Sequence, residues 1–407
     1  MTDIRTLLHE AAPGPSAPLD VEVLVVRAAH RPWHRRVVVW LAGLVAVVGV
    51  GVPLRSVLVP STDGDVDRVQ TVRPAPAPSW RVERLNDLTV HAEFVHGVAV
   101  WDDRVAYLPD GTSVVVADVR TGETHTVARP VLTKGTFSSV AGSGDWVVFL
   151  ESIGATDDEL VPGDGGRLWR VAAVDLRTGR EREVMRRSQP IPYPLTPAPV
   201  IDGPWVVWEQ EQETGPRTAS KEVVVHDLRS WTTRVVRDLD PSGVDVDDGT
   251  MFMGAPSDGD RFDVFAMAAD GSGERRQVTQ VGNVCCINSG DGVVTWQYQP
   301  PRDLTVPSDG SSELWAQLVG AAGRPIHVGD GFGPVPGDGF VLWSARGNDR
   351  SLVLRGLDPA DPVVWIPTEE YIPAWQWDAS GDRIAWLTDP VDRPGPSTLH
   401  VARVVHP

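Results

Sequence analysis

The chain has 407 residues, of which 42% are apolar and 23% are charged, so it can bury the core of one large domain or of two to three ordinary ones. Its 37 basic and 55 acidic residues give a formal net charge of −18. This charge argues against nucleic acid or an anionic lipid surface as a partner. An acidic surface that keeps the protein soluble is the simplest explanation of it.

The N-terminal part predicts a membrane anchor. Residues 1–36 form a short segment that ends in the arginine-rich stretch Arg27–Arg36, and residues 37–59 contain an uncharged run from Val37 to Leu54. At about 1.5 Å per residue this run crosses most of a hydrocarbon core. Because the acidic stretch Ser61–Asp67 follows it, we expect a single-pass helix with a cytoplasmic N-terminus and an extracytoplasmic remainder. A cleaved signal peptide is the alternative, and it also exports the rest of the chain.

Residues 60–79 read as a Pro-rich spacer, because Pro-Ala-Pro-Ala-Pro precedes Ser79. Such a segment is extended and semi-rigid. We expect it to hold the following domain away from the membrane.

Residues 80–407 contain a repeated unit. Each unit has a turn rich in Asp and Gly followed by a short apolar strand, as in Asp145–Phe149 and Asp382–Trp386. Successive turns lie 42 to 47 residues apart, except for one interval of 58 that an insertion at Ala155–Gly166 explains. This period is typical of four-stranded antiparallel propeller blades. We predict an all-β fold, a β-propeller of seven blades, with six or eight also compatible.

The two ends of the repeat region predict how the propeller closes. The last unit stops after Thr398–Val405, a third strand without an outer neighbour. Trp80–Leu85 precedes the first unit and can supply the missing strand. Pairing of the first and last strands would remove both free edges.

The last unit carries a family resemblance. Ile372–Trp386 resembles the repeat of TolB-like propellers, a WD40-like group, with a signature of roughly Pro-x-Trp-Ser-Pro-Asp-Gly-x-x-Ile-Ala-Phe. The whole layout also looks like a group of uncharacterised actinobacterial membrane proteins. The resemblance implies a location outside the membrane, and TolB-type propellers act by binding other envelope proteins.

Several candidate sites are better explained by structure. Asp245–Gly249 and Asp258–Asp263 lack the spacing of a calcium loop and are typical of turns. Strand alternation would separate His96 from His91 and Glu93, which disfavours a metal site. Trp208, Trp296, Trp343 and Trp386 recur at one position of the unit and are expected to fill the core. We assign no catalytic, cofactor or metal residue, and we expect no cofactor.

Cys285 and Cys286 are the only cysteines, and they are adjacent on a predicted inner strand. Alternation in a regular strand would point their sulfurs to opposite faces. A structural vicinal disulfide, two free buried thiols and a working redox or intermolecular pair all remain open.

The sequence is compatible with two alternative functions. The favoured interpretation is a non-enzymatic, membrane-tethered module that binds an envelope protein, peptide or glycan. The alternative is a propeller hydrolase or lyase that acts on an envelope polymer. The absence of a Gly-x-Ser-x-Gly elbow disfavours a serine peptidase. Several carboxylates with perturbed pKa values at the channel would favour the enzyme, and an uncharged shallow mouth would favour the binding module.

Overall fold

The structure is a computed structural model. It describes residues 80–92, 95–153, 166–190, 198–211, 220–257, 261–298, 312–320, 324–345, 351–367, 372, 376–389 and 396–406. The predicted segments 1–36, 37–59 and 60–79 therefore lie outside the described residues. Within the described part, no helix is long and apolar enough to cross a membrane.

The described residues form antiparallel strands throughout. In chain order they are β1 (Arg81–Val90), β2 (Val95–Trp101), β3 (Arg104–Pro109), β4 (Val114–Asp118), β5 (Thr124–Ala128), β6 (Gly135–Ser143), β7 (Trp146–Ile153), β8 (Gly166–Asp175), β9 (Arg180–Pro190), β10 (Val200–Asp202), β11 (Trp205–Glu211), β12 (Lys221–Asp227), β13 (Thr232–Val236), β14 (Val244–Asp247), β15 (Thr250–Pro256), β16 (Phe262–Ala268), β17 (Arg276–Gln277), β18 (Val284–Gly290), β19 (Val293–Tyr298), β20 (Glu313–Leu318), β21 (Ile326–Gly337), β22 (Phe340–Ala345), β23 (Ser351–Gly356), β24 (Val364–Pro367), β25 (Trp377–Ser380), β26 (Arg383–Thr388) and β27 (Ser397–Val405). The predicted all-β class is confirmed.

Five of the sheets among these residues have four strands, and their orders are β1-β27-β26-β25, β2-β3-β4-β5, β6-β7-β8-β9, β10-β11-β12-β13 and β14-β15-β16-β17. The strands β18 to β24 form a seven-stranded sheet. Its middle strand β21 pairs with β20 through its first half, where Ala316 faces Ile326, and with β22 through its second half, where Gly337 faces Phe340. One strand thus serves two neighbouring groups of strands.

The first strand closes the fold, as the sequence predicts. Strand β1 pairs with β27 from Arg81 opposite Val405 to Val90 opposite Ser397, with one irregularity between Arg84 and Asn86. The outer position of the last sheet is therefore filled from the other end of the domain. This pairing leaves neither strand with a free edge on that side.

The core lies between neighbouring sheets. The central strands carry runs of fully buried apolar residues, and the four recurring tryptophans Trp208, Trp296, Trp343 and Trp386 are at most 3% exposed. Their predicted role in the core is confirmed. One cluster joins Trp101 of β2 to Val140 of β6, so large side chains fill the space between two sheets.

Each set of neighbouring strands has one edge strand that lies at the centre of the domain. These strands are β2, β6, β10, β14, β18, β21 and β25; each contacts the next in this order, and β25 contacts β2. The closed ring surrounds a central channel. Tight turns lead from each of these strands to its neighbour, and Asp102, Asp248 and Asp291 take left-handed backbone conformations there, which Asp tolerates better than most residues.

Candidate active site

The central channel contains a cavity of about 380 Å³ that touches all seven strands of the ring. Six aspartates line it, namely Asp102, Asp202, Asp245, Asp247, Asp291 and Asp378. Lysine, arginine and histidine do not occur among the described residues that line this cavity. The carboxyl groups therefore share the cavity without a cationic side chain in its wall.

Two of these aspartates lie on the strands themselves. Asp245 on β14 accepts hydrogen bonds from the backbone N–H of Ser289 at 2.5 Å and of Val246 at 2.8 Å. Asp378 on β25 accepts one from the N–H of Val100 at 2.8 Å. In each case one bond reaches the neighbouring strand of the ring. Backbone amides are neutral donors, so they orient the carboxyl groups without supplying a compensating charge.

The pKa of both carboxyl groups is strongly raised. Burial raises the pKa of Asp245 to about 7 against the effect of its hydrogen bonds, and the charge of Asp378 raises it further. Burial also raises the pKa of Asp378 to about 7. A carboxyl group with such a pKa is partly protonated at neutral pH, so it can donate or accept a proton in a reaction.

A second set of aspartates lies at the turns that end the ring strands. Asp202 accepts from the N–H of Asp248 at 2.8 Å, Asp247 from Gly292 at 2.9 Å, and Asp291 from Gly381 at 2.8 Å. Burial is the largest influence on all three, and it raises their pKa together with the charges of neighbouring aspartates. These groups make one end of the cavity strongly acidic.

The site corrects part of the sequence interpretation. The acidic stretch at Asp245–Gly249 is expected to serve only turn structure, but Asp245 and Asp247 line the channel. Sequence reasoning missed Asp202 and Asp378 altogether. The available signal was their position: each lies within the strand just before an Asp/Gly turn. No group of three or more His, Cys, Asp or Glu in the described part of the chain is arranged to hold a metal ion.

The other candidates are separate from this cavity. His91 and His96 are exposed, and Glu93 lies outside the described residues, as do Asp258 and Gly259 of the second acidic stretch. Cys285 and Cys286 lie at the start of β18, away from its channel-lining end at Asn288–Gly290. Their sulfur atoms are not joined by a disulfide.

Comparisons with known proteins identify the fold. No protein-family model and no curated protein matches the chain. Among similar solved structures, acylaminoacyl peptidase in complex with Z-Gly-Gly-Phe-chloromethyl ketone has a TM-score of 0.53 at 11% identity, with 77% of this chain and 52% of that chain covered. The β-propeller domain of the Trilobed protease from Pyrococcus furiosus has a TM-score of 0.50 at 10% identity, with 76% of this chain and 94% of that chain covered.

A prolyl endopeptidase is the third similar structure. It has a TM-score of 0.50 at 11% identity, with 75% of this chain and 46% of that chain covered. The chain thus spans about half the length of the acylaminoacyl peptidase that it matches. At such identities the likeness shows the fold alone, and that fold is a β-propeller.

These findings correct the favoured functional interpretation. The sequence favoured a non-enzymatic binding module, whereas the similar structures are peptidases and a propeller domain of a protease. The expectation that favoured a protein without enzymatic activity is contradicted by these neighbours, which point to the propeller-enzyme alternative. The carboxyl groups of the channel agree with that alternative, because they are the feature expected of an enzyme.

Proposed function

We propose that the protein is a propeller hydrolase that cleaves a glycan polymer of the cell envelope, with Asp245 and Asp378 as its acid and base. One observation carries this proposal: two carboxyl groups with pKa values of about 7 share a water-accessible cavity, and no cationic side chain occurs among the described residues of its wall. Hydrolysis of a glycosidic bond uses such a pair, one protonated and one ionised.

The two carboxyl groups have different roles. The pKa of both groups is about 7, and the charge of Asp378 raises that of Asp245, so we assign the acid role to Asp245. Asp245 donates its proton to the leaving oxygen of the scissile bond. Asp378, ionised, accepts a proton from the attacking water. The backbone bonds from Ser289 and Val100 hold both groups in place.

The charge of the cavity restricts the substrate. Six aspartates and no cationic side chain line the wall, so the negative potential repels polyanions such as uronic acid polymers. Lyases that abstract a proton beside a carboxylate need that carboxylate neutralised, and the described residues of this wall include no side chain that could do so. Among the two reactions considered, the site therefore favours hydrolysis of a neutral or amino-sugar polymer.

Architecture and location complete the proposal. We infer seven blades, because the ring has seven strands and β21 belongs to two blades. The TolB-like character of Ile372–Trp386 and the anchor at residues 37–59 are further parts of the proposal. In intact cells, external protease should then remove the domain beyond residue 80. Protection of that domain until the cells are lysed would contradict the proposed orientation.

The central experiment measures reducing ends released from neutral, amino-sugar and uronic acid polymers. We expect cleavage of a neutral or amino-sugar polymer, and a fall in kcat of about 100- to 10,000-fold in Asp245→Asn and in Asp378→Asn, because each loses an acid–base group. The wild-type rate should depend on pH as a bell with limbs near neutrality.

Asp238→Asn is the matched control. Asp238 is exposed and has a left-handed backbone conformation that Asn also tolerates, so its activity should equal that of the wild type. Cleavage restricted to uronic acid polymers would contradict the substrate class. Full activity in both channel variants would contradict the proposed function.

A further inference from the structure

The strand β18 contains an irregularity at its cysteines. Cys285 pairs with Gln297 and Asn288 pairs with Thr295, so three steps along β18 match two steps along β19. This is a β-bulge, and it interrupts the alternation that the sequence predicts. Cys286 has a φ of 54° at this point. As a result the sulfur atoms of Cys285 and Cys286 lie 3.1 Å apart instead of on opposite faces.

The equivalent position of the next ring strand shows how unusual this cysteine is. In β21, Phe332 pairs with Ser344 and Val335 with Leu342, which is the same three-against-two bulge. Gly333 then occupies the position of Cys286, and its φ is 60°. Glycine adopts this conformation freely, whereas a residue with a Cβ is strained in it. At this position, β18 has a reactive side chain where the backbone favours glycine.

The surroundings activate one of the two thiols. The hydrogen bond between the two sulfurs lowers the pKa of Cys286, burial and the charge of Glu209 oppose this, and the charge of Lys221 assists it. The same contact, with burial, raises the pKa of Cys285. Lys221 and Glu209 form an ion pair at 3.1 Å. Both cysteines keep some exposure.

The backbone next to the thiols is closely packed. Glu209 also accepts a hydrogen bond from the N–H of Gly243 at 3.0 Å. A Cβ on Gly243 would lie 3.3 Å from the N of Ile287 and 3.6 Å from the N of Cys286. Glycine at position 243 therefore leaves room for the bulge that brings the two sulfurs together.

We propose that Cys285 and Cys286 are a redox-active dithiol that forms a reversible vicinal disulfide by exchange with thiol–disulfide couples outside the cell membrane. This site is independent of the channel chemistry, and it rests on the extracytoplasmic location that is part of the proposed function. Because adjacent Cα atoms lie about 3.8 Å apart and common disulfides have about 4.4 to 6.8 Å, the bridge is strained and easily reduced. Labile disulfides of this kind are the regulatory or catalytic ones.

The exchange has two steps. The thiolate of Cys286 attacks one sulfur of the donor disulfide, a mixed disulfide forms, and the first donor thiolate leaves and takes up a proton. Cys285 then loses its proton and attacks the sulfur of Cys286, which releases the second donor thiol. Overall two protein thiols are oxidised and one donor disulfide is reduced to two thiols. The reverse reaction regenerates the dithiol.

The test equilibrates the full chain with mixtures of reduced and oxidised glutathione, quenches with acid, alkylates the unfolded chain and measures its mass. We expect the wild type to pass from two alkyl groups to none in one two-electron transition, with little glutathione adduct. Retention of two alkyl groups in every mixture, or loss of thiols only through linked dimers, would overturn the proposal.

Single variants test the asymmetry. Cys285→Ser should accumulate the mixed disulfide at Cys286, because the resolving thiol is gone. Cys286→Ser should form it at least tenfold more slowly, because burial still raises the pKa of Cys285 and the charge of Lys221 acts on the Cys286 thiol that has been removed. Equal rates in the two variants would overturn the assigned order. Cys286→Gly removes the reactive thiol, and it also removes the backbone strain, because glycine adopts this conformation freely, as Gly333 does in β21. A folded Cys286→Gly variant without exchange would show that the loss of exchange does not come from a loss of folding.

Discussion

Two regions of the domain bury carboxyl groups in opposite ways. In the sheet of β6 to β9, Glu151 is fully buried and accepts hydrogen bonds from Arg170 and from the N–H groups of Val131 and Leu132 at 2.8 and 2.6 Å. Arg170 also bonds to Glu181 at 2.7 Å. In the channel, Asp245 and Asp378 have only backbone N–H donors.

The difference shows that burial of an acid does not by itself indicate chemistry. Burial lowers the pKa of Arg170, but the hydrogen bonds of Arg170 to Glu181 and Glu151 outweigh burial and raise this pKa. The guanidinium group therefore stays ionised. The channel aspartates lack a cationic partner, and burial raises their pKa instead. A buried carboxylate with a cation is structural, whereas one without a cation exchanges protons near neutral pH.

Removing the cation should make the first region resemble the second. In Arg170→Met, Glu151 loses its charge partner while it stays buried, and we expect a loss of about 3–5 kcal/mol in the free energy of unfolding at neutral pH. Chemical denaturation of the full chain measures this value.

The matched control is Arg177→Ala. The Arg177 side chain is 72% exposed and lies 3.6 Å from Asp175, and exposed pairs contribute little, so its effect should stay below about 1 kcal/mol. If the two variants lost the same stability, the contrast between compensated and uncompensated acids would fail.

Substitution of the channel aspartates should have the next largest effect on the free energy of unfolding, and this effect should be stabilising instead of destabilising. Asp245 and Asp378 keep their protons up to a pH of about 7 in the folded chain, whereas the unfolded chain releases them near 3.8. The folded state therefore binds more protons between these values, and stability falls as the pH rises through this window. Above pH 7 both groups are ionised, and the free-energy cost of burying their charges is then complete.

The double variant Asp245→Asn with Asp378→Asn removes this dependence. Its free energy of unfolding should exceed that of the wild type by about 2–4 kcal/mol at pH 8 and by much less at pH 4. Denaturation curves at both pH values measure the difference. A lower stability than the wild type at pH 8 would mean that the carboxylates stabilise the ring through their bonds to Ser289 and Val100. Increased stability with lost activity is typical of a functional site.

The overall fold could be predicted because its signals are local. Alternating apolar residues and Asp/Gly turns repeat at a nearly constant period, and each hairpin can be recognised within a few residues. The closing pair of β1 and β27 followed from counting strands in the last unit. This prediction needed no knowledge of side-chain contacts.

The site could not be predicted because its properties come from seven strands that meet around the channel. Asp378 and Asp382 are four residues apart on one hairpin, and they look alike in the sequence. Asp378 faces the cavity, whereas Asp382 accepts a hydrogen bond from Arg403 at 2.6 Å and lies outside it. Only the three-dimensional arrangement separates the two.

The bulge at Cys286 is missed for a similar reason. Strand alternation predicts separated sulfurs, but the close approach of Gly243 to Ile287 accompanies a local break in that alternation. A sequence pattern of period two has no means of indicating such a contact between distant residues.

His226 extends the comparison to a buried base whose pKa is set mainly by burial. The imidazole is 1% exposed, its Nδ1 lies 2.8 Å from the hydroxyl of Thr233, and the ring of Trp231 lies edge-on at 4.7 Å. Burial lowers its pKa to about 4; the charge of Asp227 opposes this shift and that of Arg182 adds to it. The folded chain therefore keeps His226 neutral where the unfolded chain, with a value of 6.5, binds a proton.

The difference in proton binding between the folded and unfolded chain again determines how stability changes with pH. Stability from His226 is complete above pH 6.5 and is lost as the pH falls towards 4, which is the reverse of the channel aspartates. In His226→Gln the decline between pH 7 and pH 4 should be about 2 kcal/mol smaller than in the wild type. His125→Gln, whose imidazole is 67% exposed, should differ from the wild type by less than about 0.5 kcal/mol at each pH. Equal declines in wild type and His226→Gln would show that the buried imidazole takes up its proton without opposing the fold, and burial would then not be the cause of its shift.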